Sequence, residues 1–138
     1  MSSDELINPH SGQRLRFVSS EPELLVLETT YAPGGPPPPA HLHPEQDEHF
    51  EVLEGELHAV VAGEEMRVGA GETLDVPSGT VHAMWGGSEV ETRVRWETRP
   101  RLRTDEFLRK VWGFAAGTEE GDPMAILAQY EREFRLAT

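Results

Sequence analysis

Three histidines and one glutamate are spaced so that their side chains would converge on a metal ion. His41 and His43 are two residues apart, so on a β-strand both rings project from the same face. Glu48 begins the next apolar run, and His82 follows a turn at residues 77–81. Three neutral imidazoles and one carboxylate suit a divalent transition metal such as iron, manganese, nickel, cobalt, copper or zinc. Four protein ligands around an octahedral ion leave two positions open, as catalysis requires.

The composition limits the other possibilities. The 138 residues include 25 acidic and 12 basic side chains, for a formal net charge of −13, and no cysteine. Such a charge would repel a phosphate backbone, so we expect no nucleic-acid partner. Without cysteine there are no disulfides, thiolate metal sites or thiol nucleophiles, so a metal must be held by His, Asp or Glu.

Length and hydropathy predict a single small domain. The apolar fraction of 37% is enough for one core at this length. No stretch approaches the ~20 apolar residues of a membrane span. The segment from Met1 to His10 is polar and acidic, unlike a secretory signal. We therefore expect a soluble cytoplasmic protein without a membrane partner.

Residues 1–100 are predicted to form an all-β domain. Short alternating runs are separated by glycines, a pattern typical of an antiparallel sandwich or barrel. In the last run Val90, Thr92, Val94 and Trp96 share one face, so one face of that strand should be buried. The runs cover residues 14–19, 24–31, 48–54, 57–62, 66–68, 73–76, 81–85 and 90–96.

Residues 101–138 are predicted to form a two-helix extension. Thr104 and Asp105 could cap the first helix and Gly117 would end it, while Asp122 and Pro123 would begin the second. The apolar stripes are narrow, so they should pack on the barrel or on a partner subunit. Their members are Phe107, Leu108, Val111, Trp112 and Ala115 in the first helix, and Ile126, Leu127, Tyr130 and Phe134 in the second.

The spacing of these residues resembles the two motifs of the cupin superfamily. The first motif is matched by Gly35, five residues, His41, one residue, His43, four residues, Glu48, six residues and Gly55. The second is matched by Gly71, five residues, Pro77, one residue, Gly79, two residues and His82. One position departs from the pattern, because Gly86 stands where an asparagine often ends the second motif. The resemblance covers roughly residues 31–100.

The resemblance implies a jelly-roll β-barrel (a double-stranded β-helix) with a metal at its centre. The resemblance implies that the metal ligands are His41, His43, Glu48 and His82. Members of the family are commonly homodimers, so a homodimer is expected here. The C-terminal helices look like an extension found in some small single-domain cupins. The change to Gly86 touches no ligand.

Two other acidic residues compete with Glu48. The family permits three or four residues before the acid, which makes Asp47 a rival. Glu48 shares its strand face with Phe50 and Val52, the apolar inward positions, whereas Asp47 shares the opposite face with His49. Glu45 follows a proline in a predicted turn and ranks below both.

An apolar wall should surround the metal. Its predicted members are Phe50, Val52, Met84, Val94 and Trp96, which would favour an aromatic or apolar substrate, although plain core packing is the favoured explanation, since apolar inward residues are expected in a barrel.

The other charged candidates are assigned to the surface. The phase of the last strand points Arg93 and Arg95 outward. His49 and His58 are interpreted as surface or subunit-contact residues, and His10 as a residue without a role.

The favoured function is a metalloenzyme acting on a small organic molecule. Vicinal oxygens, as in an enol, diketone or catechol, would occupy the open metal positions, and Glu48 would accept a substrate proton. This chemistry is dioxygenase-like, while an isomerase that moves a proton at the same ion is equally compatible.

Two functions of other classes remain. One is a module that binds or senses a small ligand through the metal without turnover. The other, a scaffold with a structural metal, is least favoured because of the open coordination positions.

Overall fold

The computed structural model describes residues 5–137, so the first four residues of the segment compared with a secretory signal lie outside it. None of the helices in the described part of the chain is long and apolar enough to cross a membrane. The elements, in chain order, are β1 (Glu5–Ile7), β2 (Arg14–Glu21), β3 (Leu24–Tyr31), β4 (His41–Leu42), β5 (Asp47–Glu54), β6 (Glu56–Val61), β7 (Glu64–Gly69), β8 (Thr73–Val76), β9 (His82–Gly86), β10 (Thr92–Arg99), α1 (Thr104–Ala116), α2 (Pro123–Ala128) and β11 (Arg135–Leu136).

The strands form two antiparallel sheets. The six-stranded sheet has the order β1-β2-β3-β10-β5-β8, and the five-stranded sheet has the order β11-β4-β9-β6-β7. The predicted all-β jelly-roll fold with two C-terminal helices is confirmed, although the hydrogen bonding leaves two sheets rather than one closed barrel.

The period-two pattern of the strands builds the core between the sheets. In β5, Glu48, Phe50 and Val52 are buried, and the residues between them are half-buried. Most of the core residues are apolar and come from both sheets. They are Phe50, Val52, Leu57, Ala59, Val68, Val76, Met84 and Val94.

A second core lies between the six-stranded sheet and the helices. Its members are Leu15, Leu25, Leu27, Phe107, Leu108, Ile126 and Tyr130. In the register of the sheet, Trp96 of β10 lies opposite Leu27 of β3 and Phe50 of β5, so all three point to one face. Trp96 packs against both cores. The five-stranded sheet covers one part of this face of the six-stranded sheet, and the helices cover another part.

A fixed glycine of the first motif permits the turn between β5 and β6. Gly55 has a φ of 81°, and a Cβ at this position would lie 2.5 Å from the carbonyl oxygen of Glu91. Only glycine accepts both the left-handed backbone and this close approach.

Two local predictions are wrong. Arg103 occupies the N-cap position of α1 without a side-chain bond, and Thr104 instead lies against the buried Gln46, whose Nε2 is 2.7 Å from its hydroxyl. Val90 precedes β10 and is 56% exposed, because the strand begins only at Thr92.

The second helix is shorter than its periodicity predicts. It begins as expected, with the Asp122 side chain accepting a hydrogen bond from the Met124 amide and proline in the first turn. It ends at Ala128, so Tyr130 and Phe134 lie beyond it in successive turns. Beyond these turns the chain forms β11, which pairs with β4.

Candidate metal centre

The three histidines of the motifs meet at one point. His41 of β4 pairs directly with His82 of β9, and His43 follows β4 immediately. One ring nitrogen from each residue lies within 4.8 Å of the other two. Among residues 5–137 this is the group of three or more metal-ligating side chains that is compact enough to hold an ion.

Backbone carbonyls orient all three imidazoles. Because a carbonyl oxygen only accepts, each Nδ1 must carry the hydrogen, which leaves a lone pair on each Nε2. This is the arrangement that outer-sphere partners impose on metal-binding histidines. The Nδ1 contacts are His41 to Pro39 O at 3.1 Å, His43 to Glu133 O at 2.7 Å, and His82 to Thr80 O at 2.8 Å.

Glu48 reaches the same point from the opposite sheet. Its Oε1 lies 3.2 Å from Nε2 of His43 and 3.1 Å from Nε2 of His82, yet this buried oxygen makes no hydrogen bond. Its Oε2 accepts a hydrogen bond of 2.8 Å from the indole Nε1 of Trp96. When both imidazoles are neutral, this buried carboxylate oxygen lacks a positive partner, and burying it so is costly. The donor set therefore fits a divalent cation.

The pKa shifts at the site come from burial and from the contact between Glu48 and the imidazoles. Burial and the neighbouring imidazoles of His43 and His82 lower the pKa of His41 to about 4, so its ring is neutral at pH 7. Burial alone would raise the pKa of Glu48, but the adjacent His43 and His82 outweigh burial and hold that pKa well below its usual range. Burial lowers the pKa of His43, while Glu48 and the Glu133 carbonyl leave it raised overall.

The rival acids have other partners. The Asp47 carboxylate accepts a hydrogen bond of 2.8 Å from the Ser78 amide and so binds the turn before His82. Glu45 forms an ion pair of 2.9 Å with Arg132 at the surface. Neither carboxylate points toward the histidines, since both are bound elsewhere.

The remaining histidines and the two strand arginines also contact side chains or carbonyls away from the triad. Their contacts are His49 with Asp75 at 2.6 Å, His58 with Glu56 at 2.9 Å, His10 with Ala115 O at 3.1 Å, Arg93 with Glu28 at 3.1 Å and with Glu54 at 2.6 Å, and Arg95 with Glu97 at 3.2 Å.

A cavity of about 220 Å³ opens from the histidines toward the C-terminal helices. Phe50, Met84 and Trp96 line it, as the strand phase predicts. Val52 and Val94 do not line it, because they are fully buried in the core between the sheets. The two valines therefore belong to the core between the sheets.

Much of the cavity wall comes from residues that sequence reasoning did not assign to it. Tyr31 lies in the wall, and α1 contributes Phe107, Leu108, Val111 and Trp112. The apolar periodicity of α1 was the available signal, but it shows only that the helix covers some surface.

The chain after α2 covers the candidate site. The Phe134 ring stacks on the His41 ring with centroids 4.8 Å apart and an interplanar angle of 25°. The buried Glu133 lines the cavity, and its backbone oxygen bonds His43. These contacts could not be predicted, because the sequence indicated a continuing helix there.

The motif departure at Gly86 has a steric cause. A Cβ on Gly86 would lie 2.7 Å from the Cβ of Tyr31, closer than two such carbons approach. Any side chain at position 86 would displace Tyr31. The glycine thus makes room for a tyrosine in the cavity wall.

Comparison with known families gives one match over the candidate site. The sequence profile described as Cupin domain matches residues 27–96, about half of the chain. This range includes both motifs and all four candidate ligands.

One curated relative is similar over a short segment. The oxidoreductase iacF of Pestalotiopsis fici is 45% identical over 49 residues, which are 35% of this chain and 24% of that protein. The match thus spans about a quarter of the relative's length.

Solved structures share the fold at low identity. An RmlC-like cupin from Shewanella frigidimarina has a TM-score of 0.65 and 19% identity, over 75% of this chain and 89% of that one. A recombinant oxalate oxidase in complex with glycolate has a TM-score of 0.57 and 23% identity, over 67% of this chain and 53% of that one.

Proposed function

The chain belongs to the cupin family, and on that basis we propose that it is a metal-dependent oxidoreductase acting on a small organic molecule by dioxygenase-like chemistry. One observation carries the proposal. Three Nε2 lone pairs and the hydrogen-bond-free Oε1 of Glu48 face one another at the end of an apolar cavity. The oxidoreductase iacF and the oxalate oxidase fold support oxidation as the reaction class.

The residues that would hold the metal are His41, His43 and His82 through Nε2, and Glu48 through Oε1. A bound divalent transition metal would supply Lewis acidity. Iron, manganese, nickel or copper would also exchange electrons with dioxygen.

We expect Glu48 to take a proton from the substrate. Its Oε2 is held by Trp96, which leaves Oε1 as the oxygen with free lone pairs. Oε1 would hold the metal or the proton, not both at once: when Glu48 is not a metal ligand, Oε1 would take the proton of a substrate hydroxyl entering from the cavity, which turns the hydroxyl into a better chelating anion. Trp96 acts through Glu48 and is therefore a positioning residue.

The cavity wall orients the substrate and excludes water. Its apolar side chains favour a carbon skeleton beyond the chelating oxygens. In the proposed reaction one carbon–carbon bond breaks and both atoms of O₂ enter the product. The substrate supplies all the electrons, so no further reductant is needed.

The test combines metal analysis with oxygen uptake, on protein purified without chelator or His-tag. We expect one equivalent of iron, manganese, nickel or copper, and oxygen consumption with a catechol or an enol. Both should vanish in Glu48→Ala/His82→Ala and persist in the matched controls Asp47→Ala and His49→Ala.

Other results contradict the proposal at different levels. Zinc with no oxygen uptake would overturn the redox reaction and favour an isomerase or a binding module. Failure to bind any added metal would overturn the site itself. A loss of metal in His49→Ala rather than in the double variant would show that the strand register is off by one residue.

A further inference from the structure

The charged side chains around the cavity are all acidic. Of the described residues that line it, Glu48 and Glu133 are the charged ones, and none is Lys or Arg. The Glu133 carboxylate already accepts a hydrogen bond of 3.1 Å from the Arg103 amide. An anionic group on a ligand would therefore meet no cation in this wall.

The nearby arginines are bound to partners outside the cavity. Arg103 stacks over Tyr130 at 4.6 Å and pairs with Glu106. Arg132 pairs with Glu45. Turning either side chain into the cavity would break these contacts and bury a guanidinium among apolar groups, which is costly.

The wall is aromatic and the volume fits a ring. Trp96 of β10 and Phe50 of β5 stack with centroids 6.0 Å apart on the sheet side. Trp112 of α1 and Phe134 lie on the C-terminal side. An apolar cavity of about 150 Å³ binds benzene, so about 220 Å³ holds a substituted ring.

From these observations we propose that the cavity selects an uncharged aromatic ligand with two adjacent hydroxyl groups, and that residues 101–138 set this selectivity. The inference rests on the proposed function, because the hydroxyls are taken to bind the metal. A carboxylate elsewhere on the ring would be buried against α1 and α2 without a partner, which weakens binding. This class of uncharged aromatic ligands excludes small dianions, because an apolar wall of this size has no group that would recognise them.

The test measures binding rather than turnover. Protein loaded with Zn²⁺, which does not change its oxidation state, is titrated by calorimetry with 4-methylcatechol and with 3,4-dihydroxybenzoate. The two ligands share the chelating oxygens and differ at the group that would face the wall. We expect the carboxylated ligand to bind at least tenfold more weakly.

A cation placed in the wall should reduce the preference for the neutral ligand. Val111 lines the cavity from α1 and is partly exposed, so Val111→Lys adds an ammonium group there. Relative to the neutral ligand, the carboxylated one should gain at least fivefold in affinity. The matched control is Val18→Lys, which adds the same charge at a site 46% exposed and away from the cavity. Leu127→Lys, on α2, repeats the test if Val111→Lys does not fold.

The possible results distinguish a failure of the metal site from a failure of the ligand selectivity. If zinc does not bind, the metal site fails and this inference fails with it. If zinc binds and both ligands bind wild-type protein equally, the selectivity is overturned while the metal site stands. If Val18→Lys shifts the ligand preference as much as Val111→Lys does, the net charge of the protein rather than the cavity wall determines that preference.

Discussion

At the scale of single residues, the candidate centre depends on which atom of each side chain is already bonded. The histidines donate through Nδ1 to carbonyl oxygens, so Nε2 is the free nitrogen in each ring. Glu48 is bonded through Oε2, so Oε1 is the free oxygen. The outer partners thus determine the four atoms available to a metal.

Trp96→Phe should weaken metal binding without disturbing the core. The phenyl ring retains apolar packing near Phe50 but cannot donate to Oε2 of Glu48. Loss of such a partner lowers metal affinity by about 10- to 100-fold. Competition titration with a chelating dye measures the change. The control is Trp85→Phe, whose ring lies beside His58; an equal loss there would show that the indole bond is irrelevant.

Gly86→Ala should destabilise the fold. The new Cβ would lie 2.7 Å from the Cβ of Tyr31, and overpacking of this kind costs about 1–3 kcal/mol. Urea unfolding measures the free energy of unfolding. Gly87→Ala is the matched control, since its Cβ would come no closer than 3.4 Å to the Glu56 carbonyl oxygen. Equal effects at both positions would contradict the steric explanation of the motif departure.

At the scale of elements, the segment after α2 connects the helices to the metal centre. Its Glu133 carries two links: the backbone oxygen bonds His43, and the buried carboxylate accepts from the Arg103 amide. The strand β11 then pairs with β4, which carries His41. The position of these histidines therefore depends on a segment about 90 residues further along the chain.

Glu133→Ala should lower both stability and metal affinity. The change leaves the amide of Arg103 without its acceptor, which costs about 1–3 kcal/mol. It also loosens the backbone that orients His43, so metal affinity should fall several-fold in the same dye titration. Glu131→Ala removes an exposed carboxylate from the same segment and should change neither quantity. A loss of stability with unchanged metal affinity would show that this segment does not influence metal binding.

At the scale of the whole molecule, the sheet and the helices share one face and one cavity. Trp96 packs on both cores, so residues 107–134 pack on the β strands of their own chain. The helices then need no partner subunit to cover their apolar stripes. The expected homodimer rests on the resemblance to small cupins alone.

Light scattering tests that expectation directly. A homodimer of this 15.4 kDa chain would have a mass of 2 × 15.4 = 30.8 kDa. We expect this mass at working concentration, and it should persist in moderate salt if the interface is apolar, since salt screens the repulsion between two chains of net charge −13. A measured mass equal to that of one chain would contradict the predicted homodimer.

The sequence by itself determined the candidate ligands and most of the strands. Its glycines and its period of two are local signals, and they predict β3 and β8 to the residue. The candidate ligands follow from the spacing within two short segments, because each segment contains two strands and the turn between them.

Only the tertiary structure decided the wall of the cavity and the partners of the ligands. Trp96 and Glu48 are 48 residues apart, and His43 and Glu133 are 90 apart, so no local pattern encodes either bond. The four-residue spacing of Tyr130 and Phe134 indicates a helix, but the helix ends at Ala128 and the chain then forms β11, which pairs with β4. Periodicity reports which face is apolar, while packing of the folded chain determines what that face contacts.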